Sequence, residues 1–136
     1  MASQNISPTN LSTFPERASG SRTITDATDH STTAITATGA TDAVNVSRFL
    51  RVGINVVNGA TNSVVFTVEG SLDGTNFTTV AYGTGSSAAY VVSAATVTAG
   101  VKSILFLPDA DLLNYVRVNI SSANANGTTF TVYGVS

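Results

Sequence analysis

The sequence predicts an all-β fold, an antiparallel β-sandwich or jelly roll with an extended N-terminal arm. Two observations carry this prediction. From residue 21 onward apolar residues recur at every second position, and turn residues interrupt this pattern roughly every 8–12 residues, as in known sandwiches. No stretch of the 136 residues shows the apolar stripe of a helix.

Length and composition indicate one folded domain. A chain of 136 residues buries about two-thirds of the surface that its unfolded form exposes. Hydrophobic residues make up 43% of the chain and charged residues only 10%, whereas an average soluble domain is about 25% charged. A surface of so low a charge tolerates close packing against other proteins.

The first 20 residues are interpreted as an arm that precedes a β-sandwich domain over residues 21–136. They are polar, and three isolated apolar residues within them follow no strand or helix period: Ile6, Leu11 and Phe14. Two interpretations stay open. The segment is either a disordered terminus or an extended arm that these three residues anchor on a neighbouring subunit.

The clearest strand covers residues 49–57. Its core face carries Leu50, Val52, Ile54 and Val56, and its outward face carries Phe49, Arg51, Gly53 and Asn55. Short strands rich in Thr are predicted before it, over residues 22–26 and 33–37. After it, Asn58 and Gly59 predict a turn, because both residue types tolerate positive φ.

The second half of the chain continues the same pattern. Strands are predicted over residues 64–68, 77–82, 90–92, 101–107, 115–120 and 130–133. Turns are predicted at Asp73-Gly74 and over residues 123–127, and a long loop over residues 83–89. Residues 109–113 have room for a single helical turn.

Charge and sequence signals exclude several classes of partner. The six Lys and Arg residues are scattered, and without a basic stripe we expect no binding to nucleic acid or to a membrane surface. No apolar run reaches the ~18 residues of a membrane span. The N-terminus lacks the basic and apolar segments of a signal peptide, so we expect synthesis in the cytoplasm.

Catalytic and metal-binding residues are sparse, and we expect no enzyme activity, cofactor or metal. The chain has no Cys, which removes thiolate chemistry. Its one histidine, His30, lies in a polar turn, and no Gly-x-Ser-x-Gly motif is present. Asp109 and Asp111 form the nearest carboxylate pair, but Asp109 fits a turn cap. Asp26, Asp29 and His30 offer ligand atoms outside any calcium-binding loop pattern.

Two segments together carry a resemblance to known proteins. Residues 68–77 hold a strand, a Ser-x-Asp-Gly turn and the aromatic Phe77, while Tyr115-Val116-Arg117-Val118 is followed by a last strand ending near residue 134. This pairing resembles the jelly-roll pattern of discoidin-like domains and is similar to a group of short tailed-phage virion proteins. The resemblance covers residues 64–134. It implies that Asp73 and Gly74 set the turn and that Phe77 and Val116 fill the core.

The chain also departs from discoidin-like domains, which are usually longer, contain Trp and are often closed by disulfides. This chain has neither Trp nor Cys, and no binding residue is carried over. The similarity to virion proteins implies a capsid decoration (cement) protein. Such a protein would reside in the virion as a homo-oligomer, for example a trimer, and bind the major capsid protein or another virion protein.

The residues predicted to make these contacts are the arm residues Ile6, Leu11 and Phe14, with Arg51 and Asn55 on the outward face of the strand over residues 49–57. The alternative is a carbohydrate- or surface-binding β-sandwich module, for example in a head or tail accessory. That alternative predicts a monomer with exposed aromatic or amide groups at one loop rim.

Overall fold

The computed structural model describes residues 24–26, 34–85, 89–108 and 110–135, with the backbone alone for residues 24–26. Eleven strands lie in this part of the chain. In chain order they are β1 Ile24–Asp26, β2 Gly39–Ala40, β3 Val44–Asn45, β4 Arg51–Asn58, β5 Val64–Ser71, β6 Thr78–Thr79, β7 Gly83–Thr84, β8 Ala95–Val97, β9 Lys102–Leu107, β10 Tyr115–Ser122 and β11 Thr128–Val135. A 3-10 turn over Ala110–Leu112 precedes β10.

The strands form two antiparallel sheets. Sheet A has five strands in the order β1-β11-β4-β9-β7. Sheet B is built on the pair β10 and β5, with β2 and β3 along the free edge of β10 and β6 and β8 along that of β5. The predicted all-β sandwich is therefore confirmed. Among the described residues, no helix has the length and apolar character needed to cross a membrane.

The core lies between the two sheets and follows the predicted alternation. Buried side chains of the long strands are Val52, Ile54, Val56, Val64, Phe66, Val68, Leu105, Leu107, Val116, Val118, Ile120, Phe130 and Val132. Phe66 of sheet B meets Phe130 of sheet A edge to face, with ring centroids 5.0 Å apart. This geometry places the positive edge of one ring against the negative face of the other. The contact joins the two sheets at the centre of the core.

The start of β4 corrects the predicted alternation. Phe49 is buried and Leu50 is 44% exposed, the reverse of the prediction. The strand begins only at Arg51, so the two preceding residues do not follow its two-residue period. The Phe49 ring instead packs on the backbone of Gly134, where any Cβ would collide with it.

Several short strands were predicted too long. Of the described residues in 33–37, only Ile35 pairs, through an isolated bridge to Thr128. Within residues 77–82 the strand shrinks to Thr78–Thr79, and within residues 90–92 only Val91 forms a bridge, to Tyr82. Each of these segments meets a pairing partner over only one or two residues, and β propensity alone does not make a strand. β8, which pairs with β5, was not predicted.

Two of the three predicted turns are confirmed. Gly74 and Gly127 have φ of +78° and +90°, the left-handed region that favours glycine. The third turn was predicted at Asn58 and Gly59, and this prediction was wrong for Asn58. Asn58 is the last residue of β4 and is buried, and its amide group bonds to neighbouring loops instead of bending the chain.

Candidate binding surface on sheet A

The outer face of sheet B is polar and its side chains bond to one another. Arg117 Nε donates to Glu69 Oε1 at 2.7 Å, and Asn119 Nδ2 donates to Glu69 Oε2 at 3.1 Å. The Arg117 guanidinium lies 3.9 Å from the centroid of the Phe77 ring, a cation–π contact. Because Arg117 points outward, Phe77 is half-buried beneath it on this face. Its predicted place in the core was wrong, whereas Val116 is fully buried as predicted.

The outer face of sheet A is different, because it exposes large apolar side chains. Ile104 is 50% exposed, Phe106 47% and Tyr133 42%. Gly53 of β4 stands directly opposite Phe106 of β9 on one side and Tyr133 of β11 on the other. Directly opposed residues of antiparallel strands share a face, so the two rings flank a position that has no side chain.

This arrangement produces a depression that we call the apolar groove. It has a volume of about 590 Å³ and is lined by Arg51, Gly53, Asn55, Ile104, Phe106, Tyr133 and Val135, among others. Gly53 forms the floor of the groove, and the surrounding backbone leaves room for a side chain at this position. A Cβ at Gly53 would meet only the carbonyl oxygen of Leu105, at 3.4 Å.

A third exposed ring extends the apolar surface beyond β9. Gly83 of β7 stands opposite Phe106, and a Cβ at Gly83 would come within 3.0 Å of the Tyr90 ring. Tyr90 therefore covers Gly83 on the same face of the sheet while remaining 58% exposed. The rings of Tyr90, Phe106 and Tyr133 thus form a row across sheet A.

The predicted contact residues fall into two groups. Arg51 and Asn55 both point away from the core, as predicted, and both line the apolar groove. The arm residues Ile6, Leu11 and Phe14 lie outside the described residues. The groove residues missed from the sequence are Ile104, Phe106 and Tyr133. One available signal was the run of apolar residues 104–107, since a strand that is apolar on both faces exposes half of its apolar residues unless something covers them.

Candidate catalytic and metal-binding positions do not come together in the described residues. His30, Asp29 and Asp109 lie outside them, and Asp111 is exposed. No group of three or more His, Asp or Glu side chains that could hold a metal occurs in the described part of the chain.

The carboxylate of Asp73 is held by its own turn. Its Oδ1 accepts hydrogen bonds from the backbone N–H groups of Asn76 and Thr75, each at 2.8 Å, and from Ser71 Oγ at 2.9 Å. Its Oδ2 accepts one from Asn76 Nδ2 at 2.7 Å. The backbone N–H of Asn76, then that of Thr75 and the side-chain bonds, hold the pKa of Asp73 well below its usual range. Asp73 therefore stabilises the turn, as the resemblance implied.

Comparison with known proteins places the fold. No protein-family model matches this chain, and no curated protein matches its sequence. Among solved structures, the chain is similar to the crystal structure of the SPBc2 prophage-derived protein YomS, with a TM-score of 0.65 and 14% sequence identity. The match covers 85% of this chain and 94% of that one. At this identity the similarity establishes that the two proteins share a fold.

Proposed function

We propose that this protein is a structural virion protein that decorates a capsid and stabilises neighbouring capsid subunits. The observation that carries the proposal is the contrast between the outer faces of the sandwich. Polar groups on sheet B bond to one another, whereas sheet A presents exposed rings and aliphatic side chains around the apolar groove.

An exposed apolar surface with few charges is suited to contact with other protein chains. Interfaces between proteins are enriched in aromatic residues and depleted of charged ones at their centres. Contiguous apolar patches on a soluble domain commonly mark such contacts. The apolar groove combines both features. Phe106 and Tyr133 flank it, and among the described residues that line it Arg51 alone is charged.

Because a virion carries many copies of such a protein, weak contacts by each copy are sufficient for stable binding. Many copies that bind a symmetric shell while touching one another gain affinity through effective concentration, without a large interface per copy. A phage origin is supported by the fold shared with a prophage-derived protein and by the similarity of the hairpin over residues 68–77 to short virion proteins. The proposed partners are the major capsid protein and further copies of this chain.

The proposal is tested on particles assembled without this protein. Purified chain is added in increasing amounts, particles are sedimented, and bound copies per particle are counted. We expect saturation at a copy number set by the shell symmetry, together with a higher temperature of particle disruption. Particles that already carry the protein serve as the control and should bind no more. Absence of saturable binding would refute capsid decoration.

A second candidate is a carbohydrate- or surface-binding module, for example in a head or tail accessory. The observation that favours it is the row of exposed rings formed by Tyr90, Phe106 and Tyr133, because aromatic faces pack on the apolar faces of sugars. It predicts saturable binding to a defined glycan on an array, lost in Tyr133→Ala. It also predicts a monomer in solution.

A further inference from the structure

The apolar groove has room for a large apolar side chain above Gly53. Strands of a sheet lie about 4.8 Å apart, so the backbones that carry Phe106 and Tyr133 are about 10 Å from one another across Gly53. The floor between them lacks a side chain and is free of close contacts. A ring placed over Gly53 would be flanked on two sides by aromatic groups, an arrangement that rings favour.

The N-terminal segment of the chain enters the sandwich at the rim of this groove. β1 pairs with β11 so that Ile24 stands opposite Val135, which itself lines the groove. β1 and β11 are antiparallel, so the chain N-terminal to Ile24 joins the sheet at the Val135 end of the groove.

The reach of this segment is sufficient for a contact between subunits. The stretch from Phe14 to Ile24 is about 10 residues, which can span up to roughly 35 Å when extended. The stretch of β4 from Arg51 to Asn55, which lines the groove, is only about 14 Å long at the usual rise of a strand. The arm can therefore leave one molecule and still lie along the groove of another.

We propose that the apolar groove binds the N-terminal arm, residues 1–20, of a second copy of this chain. Phe14 lies over Gly53 between the rings of Phe106 and Tyr133. In an extended arm Ser12, two residues earlier, lies over Asn55, which stands opposite Ile104. Phe14 of the arm and Arg51 and Asn55 of β4, all predicted from the sequence as protein contacts, then lie on the two sides of a single interface.

The charges of Glu16 and Arg51 support an arm that runs along β4 toward the Val135 end of the groove. Glu16 follows Phe14 by two residues, as Arg51 precedes Gly53 by two on β4. With Phe14 over Gly53 and the arm extended along β4, Glu16 reaches exposed Arg51 at the Val135 end of the groove. The arm then leaves the groove at this end, toward the subunit to which it belongs. Reciprocal exchange of arms would make a twofold dimer, and cyclic exchange a closed ring such as a trimer.

Cysteine crosslinking of the intact chain tests this contact, because the chain has no Cys of its own. Glu16→Cys is combined with Arg51→Cys, which leaves the rings of Phe14, Phe106 and Tyr133 in place. The protein is oxidised, and linked peptides are identified by mass. We expect covalent dimers or larger species joined through positions 16 and 51. The matched control combines Glu16→Cys with Thr67→Cys on the outer face of sheet B, and should give at least tenfold less crosslinking.

Blocking variants separate specific binding from chance collision. Gly53→Leu, added to the cysteine pair, fills the floor of the groove and should lower the 16–51 crosslinks between chains at least tenfold. Phe14→Ser should also lower them, while leaving every described core residue intact. Crosslinks confined within one chain, or no more frequent than in the control, would overturn the proposal. No capsid is present, so this result is independent of the test of capsid decoration.

Discussion

Asn124 Nδ2 donates a hydrogen bond to Asn58 Oδ1 at 3.0 Å, and both side chains are buried. Asn58 Oδ1 also accepts from Thr128 Oγ1 at 2.8 Å, while Asn58 Nδ2 donates to the carbonyl oxygen of Val97 at 2.9 Å. Asn124 Nδ2 additionally contacts the carbonyl oxygens of Gly59 and Asn62. These two amides tie together three loops at one end of the sandwich.

The first prediction concerns this amide pair. Asn124→Ala leaves the buried Asn58 oxygen with one fewer donor and removes donors from two loop carbonyl groups. We expect a loss of about 2–3 kcal/mol in the free energy of unfolding, measured by urea denaturation. Asn126→Ala removes an exposed amide two residues away and should stay within about 0.5 kcal/mol of the natural protein. Equal losses in the two variants would contradict a structural role for the pair.

The long strands could be predicted from sequence because burial on one face imposes a two-residue period. Val52, Ile54 and Val56 show it within β4, and Val116, Val118 and Ile120 within β10. Short strands lack such a signal. Thr78–Thr79 and Ala95–Val97 are strands only because they pair with the edge of β5, which depends on the fold of the whole chain.

The binding surface could be predicted only in part. Arg51 and Asn55 were identified as outward-facing because buried residues flank them. The run Ile104-Leu105-Phe106-Leu107 is apolar throughout, so its sequence does not indicate which side chains face out. The row of Phe106, Gly53 and Tyr133 arises from the register of three strands distant in sequence, which no local pattern encodes.

The second prediction concerns the contact between the sheets. Phe66→Ala removes the ring that meets Phe130 and leaves a cavity in the centre of the core. We expect unfolding to become easier by about 3–5 kcal/mol, measured by urea denaturation. Leu72→Ala is the control, because Leu72 is 65% exposed and its truncation should change stability by less than about 0.5 kcal/mol. A small effect of Phe66→Ala would mean that the two sheets do not pack on this ring.

The third prediction is a dependence on pH that arises from Asp73. Hydrogen bonds lower the pKa of this carboxyl in the folded state, so the unfolded chain binds the proton more tightly. The resulting stability is fully present above the unfolded pKa of about 3.9, and is lost as pH falls toward the folded pKa. At neutral pH we expect the natural protein to have a higher melting temperature than Asp73→Asn. The difference in melting temperature should shrink as the pH falls below about 5.

Asp42→Asn provides the comparison for that experiment, because it removes the same charge from another exposed position. Subtracting its melting curves from pH 2 to 7 corrects for the change in net charge. A gap between Asp73→Asn and the natural protein that stayed constant over this range would show that the turn does not depend on ionised Asp73.

The fourth prediction follows from the close approach of Phe49 to Gly134. The ring of Phe49 occupies the space that a Cβ at position 134 would need, so Gly134→Ala should lower stability by about 1–3 kcal/mol through overpacking. Gly53→Ala is the matched control on the adjacent strand β4, because its Cβ would find only an ordinary contact. The free energy of unfolding of Gly53→Ala should differ little from that of the natural protein. Neither measurement depends on binding in the apolar groove.

A double-mutant cycle tests whether the collision itself is responsible for that loss. Phe49→Ala alone should cost about 3–5 kcal/mol, because it empties a buried site. In its presence the methyl group added at position 134 has room, so Gly134→Ala should cost less than it does alone, with a coupling of about 1–2 kcal/mol. Strictly additive effects would mean that Gly134 is needed for its backbone conformation and not for the ring that covers it.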